Sequence, residues 1–195
     1  MKKIICAFSF LFIITSGCAT APQAGMEDKV ISQSDYEKTL EQNSKNIESY
    51  NGLYNTINMT ASLVRTQLAE AQLKQNARIF QWDPVRFQDE SFKKMELLKK
   101  HTEVFVSFYT PEKKHDDLQK SQTLWKIFLD AGGKRFEGKA TKIKLQASEV
   151  QAMYPYHTKF STPYTIVFPV TASSLEGQEV KLTITGSVGS ATVVF

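Results

Sequence analysis

From Tyr36 to Ala71 the chain carries apolar residues at spacings of four and three. The series runs Tyr36, Leu40, Asn43, Ile47, Tyr50, Tyr54, Ile57, Ala61, Val64, Leu68, Ala71, and Asn43 is its one plainly polar member. Such a seam predicts a long N-terminal helix packed against another helix. At about 1.5 Å per residue it would run roughly 55 Å. Ser34-Asp35-Tyr36-Glu37 fits a capping box and starts the helix near Ser34. Leu53, Met59 and Leu63 lie off the seam and widen its apolar face. Gly52 is its weak point, at a cost of about 1 kcal/mol against alanine. Two partners fit the seam: helix within the same chain, or a second molecule in a coiled coil. Leu40, Ile47, Tyr50, Tyr54, Ile57, Val64 and Leu68 are the candidate assembly residues.

Asp83-Pro84 supplies an N-cap and first helical position for a second, shorter helix, with Phe92, Met95 and Leu98 on one face. From Glu103 the period changes to alternation. Glu103 to Thr110 reads as a strand, as do segments near Leu124–Asp130, Ala140–Gln146, Tyr164–Val170, Val180–Thr185 and Ala191–Phe195. Ala131-Gly132-Gly133-Lys134 predicts a hairpin turn, and Ser148 to Tyr154 one turn of helix. The fold class expected is α+β: a long N-terminal helix, or a helical hairpin, followed by an antiparallel β-sandwich, Ig-like in general architecture. The cysteine pair of antibody domains is absent. The helical region is expected over 31–102 and the sandwich over 103–195.

The first residues read differently. Met1-Lys2-Lys3 is a basic start, and Ile4 to Ile14 is apolar apart from Ser9, too short for the roughly 20 residues that span a bilayer. A signal peptide over 1–17 is the expected reading. Thr15-Ser16-Gly17-Cys18 resembles the lipobox of bacterial lipoproteins, with threonine where leucine is usual. The resemblance implies cleavage before Cys18, a lipid on its thiol and, usually, acylation of the freed amine, with palmitate as the acyl group expected. Ala19 rather than aspartate after the cysteine implies the outer membrane, with the chain facing the periplasm. Residues 18–30 then form the lipidated cysteine and a small, polar tether. Several acyl chains give stable anchoring.

Cleavage removes Lys2 and Lys3 and no acid, so the formal charge falls from +4 to +2. Acidic and basic residues are well mixed, and nothing points to nucleic acid. Cys6 lies in the discarded segment and Cys18 carries lipid, so the mature chain is expected to form no disulfide and to depend on packing.

His101, His115 and His157 show no metal-ligand spacing, and there is no nucleophile-elbow motif. No catalytic residue, metal or cofactor is assigned. Asp116-Asp117 and Asp89-Glu90 read as solvated loop charge, and the lysines from Lys93 to Lys100 as a solvated helix face. The best candidate for a partner or ligand surface is Tyr154, Tyr156, His157, Phe160 and Tyr164, where aromatic rings and Pro155 share a loop. The competing reading has these rings seal one end of the sandwich.

The functional expectation is a non-enzymatic scaffold or assembly lipoprotein of the cell envelope, joined through its helix to another envelope protein or to itself. The alternative is a carbohydrate- or other ligand-binding lipoprotein, with a cell-wall glycan stacked on the aromatic loop.

Overall fold

A computed structural model describes residues 29–195. Cys18, the signal segment and most of the tether lie outside them. The described residues are α+β, with four α-helices and two antiparallel sheets packed together. Its elements are α1 (Gln33–Gln42), β1 (Ser44–Asn51), β2 (Tyr54–Val64), α2 (Thr66–Ile79), α3 (Pro84–Leu98), β3 (Thr102–Tyr109), β4 (Trp125–Ala131), β5 (Lys134–Glu137), β6 (Lys139–Lys142), α4 (Ala147–Met153), β7 (Thr162–Phe168), β8 (Val180–Gly186) and β9 (Gly189–Val194).

The long N-terminal helix does not form. Its expected span is divided into α1, the β1–β2 hairpin and α2. The reason lies in the middle of the seam. Gly52-Leu53 is the two-residue hairpin turn between paired Asn51 and Tyr54, with Gly52 at φ +61, a conformation open to glycine and strained for most other residues. Around it stand β-branched and aromatic residues, and Ile57, Met59, Ala61 and Leu63 alternate into one face. Asn43 caps the end of α1, and its carbonyl accepts from Leu63 N–H at 3.0 Å. The cap that starts α1 is Ser32, two residues before the one expected, and its hydroxyl accepts from Asp35 N–H at 3.1 Å.

The assembly residues are therefore scattered. Leu40 is on α1, Ile47 and Tyr50 on β1, Tyr54, Ile57 and Val64 on β2, and Leu68 on α2. Leu40, Ile57, Val64 and Leu68 are buried within the chain, whereas Tyr50 and Tyr54 are exposed beside the hairpin turn.

The sheets have strand orders β1-β2-β3-β7-β6 and β5-β4-β8-β9. Their inner faces meet in one core that includes Ile57, Met59, Val104, Phe108, Trp125, Leu129, Tyr164, Ile166, Leu182 and Ile184. The sheets also come together at their margins. On one side Ser49 of β1 donates its hydroxyl to the Ser190 carbonyl of β9 at 3.0 Å. On the other, Gly138 links β5 to β6, and its N–H reaches the Ile127 carbonyl of β4 at 2.9 Å. A Cβ at Gly138 would stand 2.5 Å from the Phe168 ring, so the chain passes there only without a side chain.

The outer face of the five-stranded sheet is covered over part of its length by the helices. Tyr36, Leu40, Leu68, Ala69, Ala71 and Leu98 pack there with Val64 of β2. α3 begins at Asp83-Pro84 as expected, and the Asp83 carboxylate accepts from Arg86 N–H at 2.9 Å. Its predicted apolar face is only partly used: Leu98 is buried, while Phe92 points to solvent. Among the described residues no helix is long and apolar enough to cross a membrane.

Candidate functional site

Beyond the helices the outer face of the five-stranded sheet is bare, and its side chains there are polar. Alternation dictates which they are. With Ile57, Met59, Val106 and Phe108 turned into the core, Asn46, Asn58, Thr60, Ser107 and Tyr109 must face out. Register aligns them in rows across strands about 4.8 Å apart. One row is Asn46, Thr60 and Ser107, and the next is Glu48, Asn58 and Tyr109. Asn46 Nδ2 donates to Thr60 Oγ1 at 2.8 Å, and Asn58 Nδ2 to Glu48 Oε1 at 2.9 Å. Tyr50 OH holds the second Glu48 oxygen at 2.7 Å, which keeps that carboxylate at the rim.

The wall of the groove comes from the segment after α4. α4 is capped by Gln146 and Glu149 in a capping box and buries Val150. Tyr36 OH donates to the Met153 carbonyl at 2.6 Å and fixes its end. The chain then lays Tyr154 flat on Phe105 of β3, with ring centroids 3.5 Å apart and planes 5° from parallel. Gln72 of α2 donates to Tyr154 OH at 2.8 Å. Tyr156 OH bonds Ser62, Ser62 lies 2.5 Å from Ser44, and Ser44 donates to the Leu40 carbonyl at 2.6 Å. Burial pushes both tyrosine hydroxyls above their ordinary range, so they remain protonated donors. Thr158 and Ser161 close a turn that presents Phe160 to solvent, 63% exposed.

Tyr156, Thr158, Phe160 and Ser161 face the floor residues across a groove of about 510 Å³. That lies within the range of roughly 300–1,000 Å³ found for small-molecule sites. Asn46, Asn58, Thr60, Ser107 and Tyr109 complete the lining, and none of the nine residues carries a charge. Asn46 Oδ1 and Tyr109 OH have no hydrogen-bond partner among the described residues, so an acceptor and a hydroxyl are available.

The five residues expected at a ligand surface are thus divided. Tyr156 and Phe160 line the groove. His157 lies beneath it, buried, with Nδ1 2.8 Å from Ser107 Oγ. Tyr154 is packed between sheet and helices. Tyr164 belongs to the core between the sheets and donates its hydroxyl to Asp116 at 3.0 Å. Burial also depresses the His157 pKa, so the imidazole is neutral. Among the described residues no carboxylate bonds its other nitrogen. Without that orienting partner the Ser107–His157 pair positions the floor and lacks the third member of a hydrolytic triad.

The floor residues on β1 and β2 were hidden by the helical reading of that stretch. Their signal was the alternating polar series 44, 46, 48 and 58, 60, 62 on either side of Asn51-Gly52. Asp116-Asp117 also differs from expectation. Asp116 receives the Thr162 and Tyr164 hydroxyls, and Asp117 is buried and receives Thr123 Oγ1 at 2.8 Å. Both staple the β3–β4 connection. Among the described residues no cluster of three metal-binding side chains occurs. No protein-family model, curated protein or solved structure matches this chain.

Proposed function

We propose that this chain is a lipoprotein of the cell envelope, anchored in the outer membrane through Cys18, that binds a neutral carbohydrate in the groove of the five-stranded sheet. One observation carries the reading: a groove of small-molecule size lined wholly by uncharged groups, with amides and hydroxyls on the floor and an exposed ring at the rim. A sugar offers the same two faces, hydroxyls for the floor and a C–H face for Phe160. The lining itself carries no charge; Glu48 stands beside it on Asn58, and Lys113 and Lys159 adjoin Phe160 at the rim. Cell-wall glycan is the ligand an envelope location makes most available.

The test is calorimetric titration of the mature chain with N-acetylglucosamine oligomers and neutral glucans. Phe160→Ala removes a stacking contact of about 0.5–1.5 kcal/mol, which weakens binding roughly 2- to 12-fold. Its unfolding midpoint should stay at the parent value. Failure of the parent to bind any neutral oligosaccharide, with binding of an anionic ligand instead, would refute the reading.

The scaffold reading keeps one support. At the β1–β2 turn Leu53 is fully exposed beside Tyr50 and Tyr54. If that tip joins two copies, light scattering of the mature chain across a concentration series shows a dimer that Leu53→Asp abolishes. A parent that is monomeric throughout removes this form of the idea.

A further inference from the structure

We infer that His157 takes the hydrogen bond of the Ser107 hydroxyl, so that Ser107 meets the groove as an acceptor and selects a saccharide that donates a free hydroxyl there. The inference deepens the carbohydrate reading proposed above and rests on it. Ser107 is the one buried member of the groove's lining, 4% exposed, and so lies at the bottom of the floor. Its hydroxyl has a single partner among the described residues, His157 Nδ1 at 2.8 Å.

The imidazole is held in place on several sides. Its ring stands edge-on to Phe105, with centroids 6.4 Å apart and planes at 81°. The His157 backbone N–H donates to the Tyr154 carbonyl at 2.9 Å, and its carbonyl accepts from Gln151 Nε2 at 2.8 Å. Burial keeps the ring neutral, so one nitrogen carries a proton and the other is bare. Two arrangements satisfy the contact with Ser107. In the first, Ser107 donates to a bare Nδ1 and the ring proton sits on Nε2. Nε2 has no protein partner among the described residues and is not enclosed, so water can accept from it. In the second, Nδ1–H donates to Ser107 Oγ, and the Ser107 proton at the bottom of the groove has no protein acceptor. Buried hydroxyls are bonded as a rule, and the bond made at one ring nitrogen decides which of the two carries the proton. The first arrangement bonds both protons.

With its proton engaged, Ser107 offers the groove lone pairs only. Asn46, on the same row beyond Thr60, is alike. Its Nδ2 already donates to Thr60 Oγ1 at 2.8 Å and to the Met59 carbonyl at 3.3 Å, which leaves Oδ1 as its free atom. A sugar hydroxyl meets such atoms as a donor. An ether, an ester carbonyl or a carboxylate would set lone pairs against lone pairs.

The test has a spectroscopic and a binding arm. Two-bond proton–nitrogen spectra of the histidine-labelled protein at about pH 7.5, where the ring is neutral, read which nitrogen carries the proton. His157→Leu identifies the signal among the three histidines. Nδ1 should be bare, and its resonance should move in Ser107→Ala. A proton on Nδ1 overturns the inference. Calorimetry then uses the N-acetylglucosamine trimer and cellotriose, with analogues in which single hydroxyls are replaced by hydrogen or by fluorine, which cannot donate. The hydroxyl over Ser107 is the one whose loss costs nothing further in Ser107→Ala. At that position both replacements should weaken binding to the parent about tenfold. A fluorine analogue that keeps the full affinity there makes Ser107 a donor and overturns the inference, as does the absence of any hydroxyl coupled to Ser107. A parent that binds no neutral oligosaccharide overturns the carbohydrate reading, and this inference with it.

Discussion

Replacing Tyr154 by alanine should destabilise the fold rather than blunt a binding surface. The ring lies flat on Phe105, and its hydroxyl accepts from Gln72, itself buried. Deleting a large buried aromatic side chain costs about 3–5 kcal/mol in transfer and cavity terms, and Tyr154, which is partly buried, belongs at the lower end of that range. The stack adds about 0.5–1.5 kcal/mol beyond area burial, and Gln72 is left with an unmatched amide. We expect a loss of about 4 kcal/mol for Tyr154→Ala, a large share of the roughly 5–15 kcal/mol available to a domain. Tyr154→Phe keeps the ring and strands the amide, so its loss should be about 1–2 kcal/mol. Phe160→Ala, six residues on, should fall within about 0.5 kcal/mol of the parent, as exposed substitutions do. Urea unfolding followed by far-ultraviolet dichroism reads all three, compared at constant m value. An alanine variant within about 1 kcal/mol of the parent would refute the placement of Tyr154 between sheet and helices.

Gly138→Ala would put a methyl group 2.5 Å from the Phe168 ring and 2.7 Å from Ile166 Cγ2. It should cost about 1–3 kcal/mol by overpacking, read in the same urea assay, and an unchanged midpoint would show that the link between the sheets has room. His157 is neutral when folded because burial lowers its pKa. Above the unfolded value of about 6.5 it is neutral in both states and adds no pH dependence. As pH falls below that value the unfolded chain takes up the proton first. Stability then declines, by no more than about 1.4 kcal/mol per pH unit, until the folded imidazole is protonated too. The urea midpoint should therefore drop between pH 7 and pH 5 in the parent and less steeply in His157→Gln, and equal slopes would count against this origin.

The strand-rich second half was legible in the sequence because its local signals agree. Alternation in Val180–Gly186, the double glycine after Ala131 and the proline after Asp83 each point to the element that forms there. The first half misled because its strands and helices share positions on one apolar series. Ile57 and Ala61 are four apart, which is one face of a helix but also one face of a strand. Near Val64 both faces of β2 are covered, the inner by the opposite sheet and the outer by helices, so Ser62, Leu63 and Val64 are all buried and alternation is lost. Gly52 and the alternating polar positions on either side of it could have broken the tie. The site was half legible for a related reason. An aromatic loop stands out in composition, but which ring faces solvent depends on the sheet beneath it. Tyr154 finds Phe105 and Tyr164 finds Asp116, and each of those pairs lies about fifty residues apart in the chain.

The closed margins of the two sheets bear on how copies of this chain behave when crowded. An open sheet edge offers a row of unpaired N–H and C=O groups that templates growth by strand addition. Here β1 is drawn against β9 through Ser49 and Ser190, and Gly138 folds β5 over into β6. At these two points the edge of one sheet is held against the other. Under the anchoring proposed above, copies of this chain would diffuse in two dimensions and meet more often than in bulk. Edges pinned at these points would disfavour growth by strand addition in such a population, and leave the groove and the hairpin tip as faces each copy presents.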